Sequence, residues 1–253
     1  MPKLRFHLLG AAFIETKQSN SSCPFTQKIV KLARILKNYG HYVYFYGIEG
    51  SEVACDEFIE VSTQKVLKDT YGDYDRTTHF HRYHQNDTAH EHFNKNAIRE
   101  ILKNKQERDI LLCPLGTFQK EIAEAVNMLT VEPGIGYSGT FAPNRIFESY
   151  AWMHHLYGYE HRENGAWYDA VIPNYYDITE FPFKVEKQNY LLYLGRIVNR
   201  KGVSLAAEVA KATGHQLYIV GQGSLDAPEE GLHLSDEKHI VYKPCLLYTS
   251  RCV

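Results

Sequence analysis

The run LYLGRIVNRKG, residues 192–202, brings Gly195, Arg196, Arg200, Lys201 and Gly202 together just after an apolar stretch. Arginine offers a planar fork that grips two phosphate oxygens, and lysine a compact point charge. Glycines let backbone N–H groups approach an anion closely. If a helix begins here, its free N–H groups and partial positive charge add to the pull. The combination suits a diphosphate. The same spacing also suits a solvated basic turn that caps a strand.

Two other stretches carry chemistry-bearing side chains. VEPGIGYSG, residues 131–139, sets Glu132 beside three glycines; a substrate contact and a turn held by a buried carboxylate are both open readings. THFHRYHQNDTAHEH holds His79, His81, His84, His90 and His92. Clustered imidazoles can bind zinc, line an acceptor site, or simply lie on a polar surface. His154 and His155 fall late in an amphipathic stretch; one of them is expected to face the core or a cleft, and a satisfied core histidine is the better reading. The cysteines Cys23, Cys55, Cys113, Cys245 and Cys252 are scattered without metal-type spacing, as expected of reduced thiols in a cytoplasmic protein. No spacing suggests a Ser/His/Asp or Cys/His constellation.

The elements that must position these groups alternate. Residues 4–10 form an apolar strand ending at Gly10. Thr26 is the expected cap of a helix, in which Ile29, Leu32, Ala33 and Leu36 recur at helical spacing up to Gly40. HYVYFYG (41–47) is the second strand. Further strands are expected at 57–62, 109–116, 128–134 and 169–174. Helices are expected along Phe93–Leu102, near 118–127, and over 142–155, where Pro143 would sit in the first turn. YDITEFPFKVEKQ, residues 176–188, has no clean period and reads as a linker. The pattern then restarts: strand 189–195, helix 202–213, strand 216–221 and strand 239–244. Two parallel-sheet α/β units result, residues 1–175 and 189–244. The second, at about 55 residues, falls short of the roughly 100 usual for a domain and reads as incomplete. Only Gly10 follows the first strand, with no G-x-G-x-x-G, which argues against ordinary dinucleotide binding.

Residues 189–224, NYLLYLGRIVNRKGVSLAAEVAKATGHQLYIVGQGS, resemble the donor-binding domain of GT-B glycosyltransferases, the retaining family four in particular. The shared pattern is a strand, G-R, K-G, an amphipathic helix, an apolar strand and G-x-G. VIPNYYD (171–177) looks like that family's crossing between domains, and the likeness extends over residues 1–244. It implies two Rossmann-like domains and a sugar moved, with retention, from a nucleotide diphosphate donor to an acceptor of unknown type. Arg196 and Lys201 would bind the donor diphosphate without a metal. Gly10 would let the first loop approach the donor, and Glu132 would act near the reacting carbon. Gly221 and Gly223 would shape the nucleoside side, a structural turn being the alternative. Family members carry two glutamates on a later helix; Glu229 and Glu230 follow the G-x-G too soon to be these. The runner-up reading is a fragment of this fold that binds nucleotide or phosphosugar without catalysis; a zinc protein built on the histidines is a distant third.

Composition bounds the partners. A net charge of −2 gives no field to draw nucleic acid or an anionic membrane, so any anion site must be local. No stretch is long and apolar enough to span a bilayer. The opening MPKLRFHLLGAAF reads as a buried strand rather than a signal peptide. The last nine residues, CLLYTSRCV, back-translate into a segment meeting its own reverse complement, as two transposon ends joined head to head would leave. Residues 245–253 are therefore expected to be a sequencing scar, with the natural chain continuing beyond Pro244.

Overall fold

The computed structural model describes residues 2–20, 23–73, 83–181 and 183–243. Contacts divide the chain into two compact units, with the break between Tyr175 and Tyr176.

In the first unit seven strands form one parallel sheet: β1 (Arg5–Leu9), β2 (Tyr42–Ile48), β3 (Glu57–Ser62), β4 (Ile110–Leu112), β5 (Leu129–Ile135), β6 (Asn144–Phe147) and β7 (Ala170–Val171). Their order is β3-β2-β1-β4-β5-β6-β7. The chain thus winds outward from β1 in one direction and from β4 in the other. In open α/β sheets such a switch leaves a crevice at the carboxyl ends of the two central strands.

Alternation along the strands builds two cores. Leu9, Tyr44, Tyr46, Leu111 and Cys113 face Leu67 of α2 (Gln64–Tyr71), Phe93, Ala97 and Ile101 of α3 (Thr88–Asn104), and Ile122 and Val126 of α4 (Lys120–Val126). Phe6, Leu8, Val43, Phe45 and Leu112 face Ile29 and Ala33 of α1 (Pro24–Asn38). With both faces covered, β1 and β2 are almost wholly buried, which is why they read as continuous apolar runs.

Two expectations are corrected here. The first helix begins at Pro24 behind Cys23, and Thr26 lies inside it, its hydroxyl donating to the Cys23 carbonyl at 2.9 Å. The helix expected over 142–155 divides into β6 and α5 (Tyr150–Tyr159). Its true cap is Ser149, whose hydroxyl accepts from the Trp152 N–H at 3.2 Å. Phe147, fully buried against Ile135 and Leu156, draws the preceding segment into the sheet.

The second unit has a parallel sheet of three strands, β8 (Tyr190–Leu194), β9 (Gln216–Val220) and β12 (Ile240–Lys243), in the order β12-β9-β8. A short antiparallel pair, β10 (Asp226–Ala227) and β11 (Leu232–His233), follows β9. Val203, Ala207 and Ala210 of α6 (Val203–Thr213) pack on Leu217 and Ile219.

Candidate functional site

The chemistry-bearing loops of the second unit meet at the carboxyl edge of its sheet. The Gly195 N–H donates to the Val220 carbonyl at 3.0 Å, and the Ile197 N–H to the Gln222 carbonyl at 2.8 Å. The G-R loop after β8 therefore runs beside the G-x-G loop after β9 like an extra length of ladder. The fit requires glycine. A Cβ at Gly221, where φ is +156°, would lie 1.8 Å from the Gly195 carbonyl oxygen; one at Gly223 would lie 2.9 Å from Ile197 Cβ. The Tyr242 hydroxyl from β12 donates to the Gly223 carbonyl at 2.8 Å, and the Tyr193 hydroxyl to the Arg196 carbonyl at 2.7 Å. Arg196, half-buried, is thus held by its backbone on both sides.

From there residues 199–201 make a single tight helical turn, and Gly202, in the left-handed region at φ +81°, opens α6. Lys201 is exposed in that turn, one residue before Gly202. The Asn199 N–H donates to the Glu230 carboxylate at 3.3 Å. Glu230 therefore braces the loop that carries Arg200 and Lys201. The sequence pattern thus brings Arg196, Gly221 and Gly223 into one assembly at a strand edge, with Lys201 at the start of the following helix.

In the first unit, Gly10 ends β1 at the switch point. Its N–H donates to the Tyr46 carbonyl at 2.8 Å, and its carbonyl accepts from Gln119 Nε2 at 2.9 Å. A Cβ there would lie 2.9 Å from the Tyr46 carbonyl oxygen, so the loop lies flat against β2 only because residue 10 has no side chain. Glu132, on β5, has 0% exposure. Its Oε2 accepts from the Phe141 and Ala142 N–H groups at 2.9 and 2.8 Å. Burial pushes its carboxyl up to about 7, against the opposing pull of those N–H groups and the charge of Arg145. This geometry is that of a carboxylate holding a turn, the second of the two readings open from sequence.

No protein-family model matches the chain, and no curated protein matches it. Among solved structures it is similar to AviGT4, a glycosyltransferase involved in avilamycin A biosynthesis, with a TM-score of 0.53 and 17% identity. The match covers 90% of this chain and 59% of AviGT4, so the chain spans less than two thirds of that structure. At this identity the likeness establishes the fold. It is α/β and Rossmann-like, with a seven-stranded parallel sheet and a second, smaller one, as the sequence leads one to expect.

The structure also gathers groups that sequence spacing did not single out. Lys28 of α1 places Nζ 2.5 Å from Glu148 Oε2 and 2.9 Å from the Gly134 carbonyl, at the carboxyl ends of β5 and β6. The glycines of VEPGIGYSG make room for this pair: a Cβ at Gly136 would fall 2.0 Å from Glu148 Oε1. At the opposite, amino-terminal edge, His7 is fully buried between Asp109 Oδ2 at 2.9 Å and the Tyr46 hydroxyl at 2.8 Å, with Arg5 also on Asp109. Burial holds the His7 imidazole below its ordinary pKa despite that carboxylate. This network stitches β1 to β2 and β4 at the edge away from the crevice.

The histidine stretch is only partly described: His79 and His81 lie outside the described residues. Among the described residues no group of three or more His, Cys, Asp or Glu is placed to hold a metal ion. His90, at the start of α3, is 1% exposed, with Nδ1 2.8 Å from Asp87 Oδ1. Asp87 caps the helix through the His90 N–H at 3.0 Å, and its Oδ2 accepts from the Tyr71 hydroxyl at 2.7 Å. Burial works to raise the Asp87 pKa, but these hydrogen bonds outweigh it and hold the carboxyl below its usual range. His154 and His155 lie on α5 beside aromatic rings of the same helix, Tyr150 and Tyr157 for the first, Trp152 and Tyr159 for the second. Both are exposed on that helix, so the expectation that one of them is a core histidine does not hold: Leu156 is the residue α5 buries fully. Among the described residues no helix is long and apolar enough to cross a membrane.

Proposed function

We propose that the chain belongs to a glycosyltransferase that transfers a sugar, with retention, from a nucleotide diphosphate donor to an acceptor held by the first unit. The observation that carries this reading is the interlock of the G-R and G-x-G loops at the strand edge preceding α6. Such an edge, where strands end and a helix begins, is where parallel α/β proteins hold phosphate. The fold shared with a glycosyltransferase adds support. In this reading Arg196 and Lys201 neutralise the diphosphate as charge builds on the leaving group, the contribution that usually dominates such catalysis. No metal is needed for that role. Gly221 and Gly223 keep the loop thin enough for a nucleoside to lie against it, and Gly10 keeps the first loop close to β2. Glu132 serves by fixing the 137–142 loop rather than by touching the donor. Residues 176–188 are read as the linker, and residues 189–244 as part of a longer donor domain.

The test is incubation of the chain with a panel of nucleotide sugars and glycoside acceptors. Release of nucleoside diphosphate with an unchanged anomeric configuration in the product supports the proposal. Saturable nucleotide binding without release under any pairing favours the runner-up, a binding fragment of the same fold.

A further inference from the structure

The central strand of the second unit has a tyrosine on either side of one residue. Tyr193 of β8 and Tyr242 of β12 both pair with Ile219 of β9, which is fully buried. Neighbours at one register of a parallel sheet point to the same face. Both rings accordingly pack into the core that Ile219 shares with Val203 and Ala207 of α6. Their hydroxyls extend to the carboxyl edge, and each reaches a different loop.

The Tyr193 hydroxyl donates to the Arg196 carbonyl at 2.7 Å, on the G-R loop. The Tyr242 hydroxyl lies 2.8 Å from the Gly223 carbonyl and 3.3 Å from the Gly221 carbonyl, so its one hydrogen is shared by both ends of G-x-G. Burial pushes both phenols above their ordinary pKa, so each keeps the proton it donates. A glycine loop has the most freedom to lose on ordering and gains the most from an outside anchor. A carbonyl held by a hydroxyl is also kept from swinging toward an anion, which it would repel. The bonds that join the loops, Gly195 to Val220 and Ile197 to Gln222, involve neither hydroxyl.

We propose that these tyrosines position the two halves of a nucleoside diphosphate separately: Tyr242 through the G-x-G loop for the nucleoside, Tyr193 through Arg196 for the diphosphate. This rests on the transferase reading, which supplies the nucleotide. Both are positioning residues, since each acts through the backbone it holds and takes no part in the chemistry.

The test uses the whole chain with carbon-13 at the glycine carbonyls. Inorganic pyrophosphate, UDP, GDP and ADP are the probes, titrated calorimetrically. Tyr242→Phe keeps the ring in the core and removes only the hydroxyl. The Gly221 and Gly223 carbonyl resonances should then move to lower frequency, while that of Gly195 stays. Tyr242→Phe should weaken the nucleoside diphosphate that wild type binds about tenfold, the worth of one hydrogen bond, and leave pyrophosphate within about twofold. Tyr193→Phe should weaken pyrophosphate and nucleotide alike, each about tenfold. A merely structural role would make both probes fall together in both variants, and that result overturns the proposal. So do unmoved glycine carbonyls, unaltered nucleotide affinity in Tyr242→Phe, unaltered pyrophosphate affinity in Tyr193→Phe, or a wild type that binds nucleotide but no pyrophosphate. A wild type that binds none of the four probes overturns the transferase reading, and this inference with it; wild-type binding with any of the other results overturns this inference alone.

Discussion

Two residues show how physical constraint and chemistry separate. Gly221 sits so near the Gly195 carbonyl that even a methyl group cannot enter. Gly221→Ala is expected to force the two loops apart, costing at least about 2 kcal/mol in urea unfolding and removing nucleotide binding with it. Glu132 makes a pH-dependent contribution. Its carboxyl rises from 4.5 unfolded to about 7 folded because burial disfavours the charge. The folded chain keeps a proton that the unfolded chain has released. The resulting stabilisation is full below about pH 4.5 and lost as pH rises to about 7, a swing of about 3 kcal/mol. Unfolding titrations of wild type and Glu132→Gln across that range should show the slope in the first and its absence in the second. The glycines were readable from sequence because few other roles explain such spacing. The partners of Glu132 were not: they are backbone N–H groups brought in from the loop after β5, and spacing carries no signal for that.

At the level of elements, continuous apolar runs gave away β1, β2 and β9, since strands covered on both faces leave no polar alternation. The stretch APNRIFESYAWMHH misleads, because Pro143 suits a helix start and the residues after it tolerate a helix. What decides the outcome is tertiary: Phe147 fills a pocket between Ile135 and Leu156, and Ser149 supplies the cap. Ser149→Ala should cost about 1 kcal/mol by loosening the first turn of α5, while Ser→Asp at the same position should cost little. Thermal unfolding of the two variants checks this. The eight-residue α2 and the two-residue strands β10 and β11 escaped the sequence reading.

On the scale of the whole molecule, the order of strands explains where chemistry collects. In the first unit, winding outward from β1 and β4 leaves Gly10 and Gln119 about the switch point, while the buried His7–Asp109 network holds the far edge. In the second unit, three parallel strands feed their carboxyl ends into the glycine loops that carry Arg196 and precede α6. In the proposed reading this cationic edge holds a nucleotide diphosphate. Calorimetric titration of the chain with UDP, GDP and ADP tests it most directly. We expect at least one to bind saturably, and Arg196→Ala to weaken it by about ten- to a hundredfold, the loss of charge-assisted hydrogen bonds. Binding that is unchanged in Arg196→Ala, or absent for all three nucleotides, contradicts a diphosphate site at this edge.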